Sequence, residues 1–149
     1  MSNRNSSLDT LVELAREHRD GAAKLLGELR SSHQRSHQQL DSLLHYRDEY
    51  RRQFEAAMAN GISMAALQNY QRFMRSLDQA IDHQHQQVTR SEGRVEKGVT
   101  DWQRQQQRVN AYDVLATRRL EEERLASNRR EQRQTDEFAS RASAAMGGF

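Results

Sequence analysis

The stretch Leu67–Val88, LQNYQRFMRSLDQAIDHQHQQV, decides the fold. Its apolar residues do not alternate as in a strand, nor do they form the broad stripe of a globular helix. Leu67, Met74, Ile81 and Val88 recur at every seventh position. The series runs on through Val95, Trp102, Val109 and Ala116 without a polar interruption. The companion row three residues later, Tyr70, Leu77, Gln84, Ser91, Gly98, Gln105 and Tyr112, is mixed. A helix that keeps a narrow seam against another helix shows this spacing of about 3.5 residues, so a coiled coil is predicted.

The N-terminal half carries a second series, Leu8, Ala15, Ala22, Leu29, Ser36, Leu43, Tyr50 and Ala57, with Ser36 its one polar member. Its companion row is read as Leu11, His18, Leu25, Ser32, Gln39, Tyr46 and Gln53. Between the two series lies MANGIS, Met58–Ser63. Asn60-Gly61 suits the left-handed residue that ends a helix, and Ser63 suits the N-cap of the next. Ile62 is placed to pack against Leu67, and Ser6, followed by Asp9, to cap the first helix. The expected fold is therefore all-α, a long antiparallel two-helix coiled-coil hairpin with a C-terminal helical overhang. It forms a single domain over residues 1–149, with helix 1 about 6–58, the turn at 59–63, helix 2 about 64–142 and a disordered tail at 143–149. Each arm is then roughly 80 Å long at ~1.5 Å per residue. The expected coiled-coil core is Leu29, Leu43, Tyr50, Leu67, Met74, Ile81, Val88, Val95, Trp102 and Val109.

An antiparallel hairpin turning near residue 61 makes facing residue numbers sum to about 121. Trp102 is then expected beside Arg19–Ala22, Gly27 near Gly93, and Gly21 near Gly98, so that small residues face small ones. Ser32 and Ser36 fall opposite Val88 and Gln84, and this polar belt is expected to be flexible or slightly open. The first arm ends near residue 5, so its partner should end near Leu115, leaving the chain from Ala116 onward as the overhang.

Composition agrees with an elongated helical assembly. Only 35% of the 149 residues are apolar and 30% are charged, and the mean hydropathy of -1.06 is too low for a globular core. Such a chain is either disordered or helical and extended. There is no proline, where average usage of about 5% would give roughly seven. Helix interiors exclude proline because it removes a hydrogen bond and clashes with the preceding turn. No cysteine is present, which leaves no disulfide frame or thiolate metal site and fits a reducing cytoplasm. The N-terminus lacks the apolar run of a signal peptide, and no stretch approaches the ~20 apolar residues of a membrane span. The formal charge is +2, with 21 acidic residues interspersed among the basic ones. That balance describes a solvated, ion-paired helix surface better than a nucleic-acid stripe.

No catalytic constellation or cofactor site stands out. There is no glycine-rich phosphate loop and no nucleophile motif, and Glu121–Glu123 lie on an exposed helix. His33, His37, His83 and His85 fall at one level of the hairpin and are considered as a zinc or nickel site. His37 and His83 take outward positions, however, so a solvated polar belt is the preferred reading and no metal is expected. Tyr70 and Phe73 among arginines could stack bases, but the balanced charge opposes that. Phe73 sits beside the seam, and with Leu77 and Ala80 it continues an apolar diagonal. The diagonal is read as a docking patch for another protein.

LLHYRDEYRRQ at Leu43–Gln53, the short turn, NYQRFMRSLDQAI at Asn69–Ile81, Trp102 in mid-arm and REQRQTDEFASR at Arg130–Arg141 together resemble the flagellar FliJ family. The resemblance covers most of the chain in order. It implies a cytoplasmic coiled-coil component of the flagellar type III export apparatus, at the cytoplasmic face of the inner membrane. Roles in flagellum biogenesis, protein transport, motility and chemotaxis go with it. The implied partners are the export ATPase (FliI-like), whose ring a stalk of this kind enters and helps assemble, the cytoplasmic domain of the export gate (FlhA-like), and export chaperones. Neither membrane insertion nor nucleic-acid binding is implied, and the rod itself is not an enzyme. Carried over by position, Phe73, Leu77, Tyr70 and Ala80 are the implied gate-binding residues. Leu8, Leu11, Arg118, Arg119, Arg129 and Arg130 are the implied contacts to the ATPase ring. The alternatives are the equivalent stalk of a virulence-type III secretion system and a generic coiled-coil scaffold.

Overall fold

A computed structural model describes residues 2–147, with the side chains of residues 2–6 outside that description. The chain folds into helix α1 (Ser2–Asn60) and helix α2 (Met64–Met146), with no strand among the described residues. Helix α1 starts upstream of Ser6, and the cap expected of that side chain lies outside the described residues. Helix α2 runs through residues 143–146, which were expected in a disordered tail. The Gly147 amide then donates to the Ser143 carbonyl at 2.9 Å. Gly148 and Phe149 lie outside the described residues.

The turn is built by local chemistry. Gly61 takes a φ of 85°, which an L side chain adopts only at a cost, and its amide donates to the Met58 carbonyl at 3.2 Å. Ser63 caps α2, its Oγ accepting from the Ala66 amide at 3.1 Å. The Ser63 carbonyl accepts the first helical bond from the Leu67 amide at 3.0 Å. Ile62 shares a recess with Ala57, Ala66 and Tyr70.

Packing divides the chain into two units, Asp20–Arg104, and the chain up to Arg19 together with Gln105 onward. In the Asp20–Arg104 unit, Leu40, Leu77, Ile81 and Val88 form the buried cluster, with Leu43, Leu44, Phe73 and Met74 packed on it. The α2 seam follows both expected rows, and even Ser91 and Gly98 are buried in it. On α1 the first row holds, but the second lies one residue further on. Leu26, His33, Leu40, Arg47 and Phe54 turn inward, while Leu25 is 51% and Tyr46 48% exposed. A step of four after each first-row residue, not three, lets α1 face α2.

The facing numbers also sum to about 124 instead of 121, as at Phe54–Tyr70 and His33–Ser91, and this moves the expected neighbours. Gly21, Gly27 and Gly93 have open space where a Cβ would stand, so none of them makes the glycine-to-glycine contacts expected. Gly98 alone sits under the opposite helix, its missing Cβ position 3.0 Å from Leu29 Cδ1 and 3.3 Å from Leu26 Cδ1. Trp102 lines a recess with Ala23, Leu26, Gly27, Arg30 and Val99, about a turn beyond its expected place beside Arg19–Ala22. The polar belt is closed by hydrogen bonds. Gln84 Nε2 donates to the Ser36 carbonyl at 2.8 Å and lies 3.1 Å from Ser36 Oγ, and Ser91 bonds His33 at 2.7 Å. Ser32 points to solvent.

In the other unit Val12, Ala15 and Val109 are buried, while Leu11, expected in the seam, is 43% exposed. Arg16 Nη2 donates to Asp113 Oδ1 at 3.1 Å across the pair, an exposed ion pair of the kind that contributes little. Leu8 and Asp9 line a recess with Ala116, Arg119, Leu120 and Glu123. Pairing therefore reaches beyond Leu115, because the facing numbers here sum to more than the expected 121, with Leu8 beside Ala116 and Leu120. The unpaired part of α2 begins at Ser127, from which every described residue is exposed.

Candidate docking surfaces

Beside the turn, five rings interlock across the two helices. Phe54 and Tyr70 stack with centroids 3.6 Å apart and planes at 12°, and Tyr50 stacks on Tyr70 at 4.9 Å and 1°. Phe73 leans on Tyr50 at 4.4 Å and meets Tyr46 edge-on at 6.1 Å. Aromatic pairs in such arrangements contribute about 0.5–1.5 kcal/mol each beyond the area they bury. Burial pushes the Tyr70 hydroxyl above its ordinary value of 10.0; Arg51 works against the shift, while Tyr50 and Glu55 add to it.

The cluster redefines the expected docking patch. Phe73 is half-buried on a bed of tyrosines, not a lone outward ring, and Tyr70 is held between Tyr50 and Phe54. Leu77 is 6% exposed and belongs to the core, so it cannot extend an outward apolar diagonal from Phe73. Ala80 is exposed, but the buried Leu77 separates it from the aromatic face. The residue that the linear reading missed as a surface group is Tyr46. Its ring covers one side of Phe73 and borders an open groove of about 670 Å³ lined by Arg35, Gln38, Gln39, Ser42 and Leu43. The signal was in the sequence, since Tyr46 lies three residues after a seam residue and Arg47 four.

Arg47 occupies a seam position by snorkelling. Its aliphatic stem lies in the interface while Nη1 reaches Asp78 Oδ1 at 3.4 Å, and its buried Nε has no hydrogen-bond partner. Such a group costs desolvation energy without an offsetting bond. It makes the seam locally less favourable than an apolar layer would.

Among the histidines, only His33 enters the seam; His37, His83 and His85 are exposed. Among the described residues no group of three His, Cys, Asp or Glu gathers as a metal cluster would. Of the residues implied to contact an ATPase ring, Leu8 and Arg119 are half-buried in the pairing of the chain ends, while Leu11, Arg118, Arg129 and Arg130 are exposed. Phe138, 76% exposed, is the largest apolar side chain on the unpaired part of α2. No helix among the described residues is long and apolar enough to cross a membrane.

A family model described as "Flagellar FliJ protein" matches residues 4–148. A curated relative from Salmonella typhi with that same description is 38% identical over 138 residues, covering 93% of this chain and 94% of the relative. Another, from Escherichia coli (strain K12), is 36% identical over 138 residues with the same coverage.

Proposed function

The chain belongs to the flagellar FliJ family, and from that premise we propose that it serves the flagellar type III export apparatus as a stalk-like binding protein. It acts by contact and not by catalysis. The paired chain ends and the exposed arginines beyond them, Arg118, Arg129 and Arg130, meet the export ATPase ring and favour its assembly. The turn end meets the cytoplasmic domain of the export gate, and export chaperones bind elsewhere along the helices. The protein works in the cytoplasm, held at the inner membrane only through these partners. The flagellar description of both relatives favours this reading over a virulence-type stalk.

The observation that carries the gate assignment is the aromatic face. Tyr46 is half exposed above the half-buried Phe73 and beside an open groove. An amphipathic ring on a packed support is the kind of anchor that dominates protein interfaces. Leu77 supports the face from beneath, and Tyr70 fixes the cluster.

The test is a binding measurement between the purified chain and the cytoplasmic domain of the gate protein. Phe73→Ala and Tyr46→Ala should each weaken binding at least tenfold, while Arg104→Ala, on the exposed surface away from the turn, should not. Circular dichroism of each variant checks that the helices persist. Unchanged gate affinity and normal swarming with Tyr46→Ala and Phe73→Ala together would refute the gate assignment. Separately, addition of the chain should raise the rate of the export ATPase, and no effect at saturating concentration would refute the stalk role.

A further inference from the structure

The polar belt holds an arrangement that the docking role does not use. His33 and His37 stand one turn apart on α1, ring centroids 6.3 Å from one another. Ser91 Oγ has one proton, which it donates to the Val88 carbonyl at 2.7 Å. The 2.7 Å contact between that oxygen and His33 Nδ1 therefore needs the proton on Nδ1. In the neutral ring Nε2 is then the bare nitrogen. His37 Nδ1 is likewise engaged, by Asp41 Oδ2 at 3.3 Å. A carboxylate offers only lone pairs, so Nδ1 again holds the proton and Nε2 is left bare. In both rings Nε2 is the nitrogen that these hydrogen bonds leave unused.

We propose that His33 and His37 form a chelating site for a divalent late-transition ion of the Cu2+, Ni2+ or Zn2+ class, with water completing the coordination. Imidazoles that ligate metals donate their second N–H to an oxygen, which fixes both tautomer and orientation, and here both rings already do so. Two rings sharing an ion at ~2.05 Å sit with centroids roughly 5 Å apart. The pair closes by about one ångström, and the exposed His37 ring has room to make that movement. Nitrogen donors with no carboxylate in the first shell select late-transition ions over Mg2+ and Ca2+, and Cu2+ binds tightest. His83 and His85 take no part in the site.

Titration of the untagged full-length chain with Cu2+ and Ni2+ by calorimetry tests the site. One ion per chain is expected, lost with His37→Gln and with His33→Gln, and kept with His83→Gln/His85→Gln. His37 is on the surface, so His37→Gln reads out the site even where His33→Gln disturbs the seam. Ser91→Ala removes the oxygen behind His33 and should weaken the ion about tenfold without abolishing binding. Binding by His37→Gln equal to that of the parent chain, or binding lost with His83→Gln/His85→Gln, overturns the proposal. Unchanged affinity in Ser91→Ala overturns the role given to the His33 tautomer.

Discussion

Gly98→Ala and Gly93→Ala make the same chemical change five residues apart on α2, and only the second should stabilise the chain. Alanine exceeds glycine in a helix interior by about 1 kcal/mol, because glycine loses more backbone freedom on folding. At Gly93 a Cβ meets nothing within 4 Å, so Gly93→Ala should stabilise the chain by ~0.5–1 kcal/mol. At Gly98 the new methyl lands 3.0 Å from Leu29 Cδ1 and 3.3 Å from Leu26 Cδ1, inside the ~3.5–4.0 Å optimum for carbon pairs. Leu29 is half-buried and can yield by turning outward, whereas Leu26 is buried and cannot yield as far. Overpacking of this kind costs ~1–3 kcal/mol. Set against the helical gain, it leaves Gly98→Ala between neutral and about 2 kcal/mol less stable than the parent chain. Urea unfolding followed by far-ultraviolet circular dichroism measures both variants. In the Leu29→Ala background the Gly98→Ala penalty should shrink, since the nearest clash is gone. If Gly98→Ala stabilises as much as Gly93→Ala, α1 and α2 do not approach at Gly98 as described, and the assigned register is wrong.

Other expectations follow from single contacts. Ser63→Ala removes the acceptor of the Ala66 amide and should cost about 1 kcal/mol in the same unfolding assay, with Ser63→Asp close to neutral. Val109→Ala empties a position only 2% exposed and should cost about 2 kcal/mol; a loss below a few tenths would contradict the pairing of the chain ends. Tyr70 has a folded-state pKa raised above 10.0 by burial, so the folded form holds its proton more tightly than the unfolded one. Its contribution is complete below pH 10.0 and is lost as pH rises through the raised folded value. Tyr70→Phe should therefore flatten the decline of the thermal midpoint in alkaline solution, and an unchanged slope would show that Tyr70 is not desolvated.

The sequence made α2 legible because both of its seam rows keep step from Leu67 to Tyr112, even where Gln84, Ser91 and Gly98 interrupt the apolar pattern. Helix α1 misled at its second row for a physical reason. Leu11-Val12 and Leu25-Leu26 are apolar doublets, so at both a step of three or of four finds a hydrophobic residue. The true row also contains Arg19, His33 and Arg47, polar groups whose stems or hydrogen bonds suit them to a seam without marking it. Only the partner helix distinguishes the two choices. The same error hid Tyr46 as a surface residue and left Phe73 looking isolated. The upstream start of α1 had no signature either, since SNRNSS combines weak helix formers with several possible caps.

The stacked rings beside Gly61 also bear on the order in which the chain folds. Phe54 and Tyr70 meet after the shortest of loops, whereas Arg47 and Asp78 are 31 residues apart and Arg16 and Asp113 are 97 apart. Closing the longer of these two loops directly costs about 1 kcal/mol more in chain entropy than closing the shorter. Once the rings have met, each further seam layer encloses only a few new residues, and the extra cost disappears. The helices should thus zip from the turn outward, a route of low contact order and correspondingly fast. Unzipping starts where the chain ends pair. Native-state amide exchange should show protection falling from the turn toward Arg16 and Asp113, and equal protection along both helices would rule this order out.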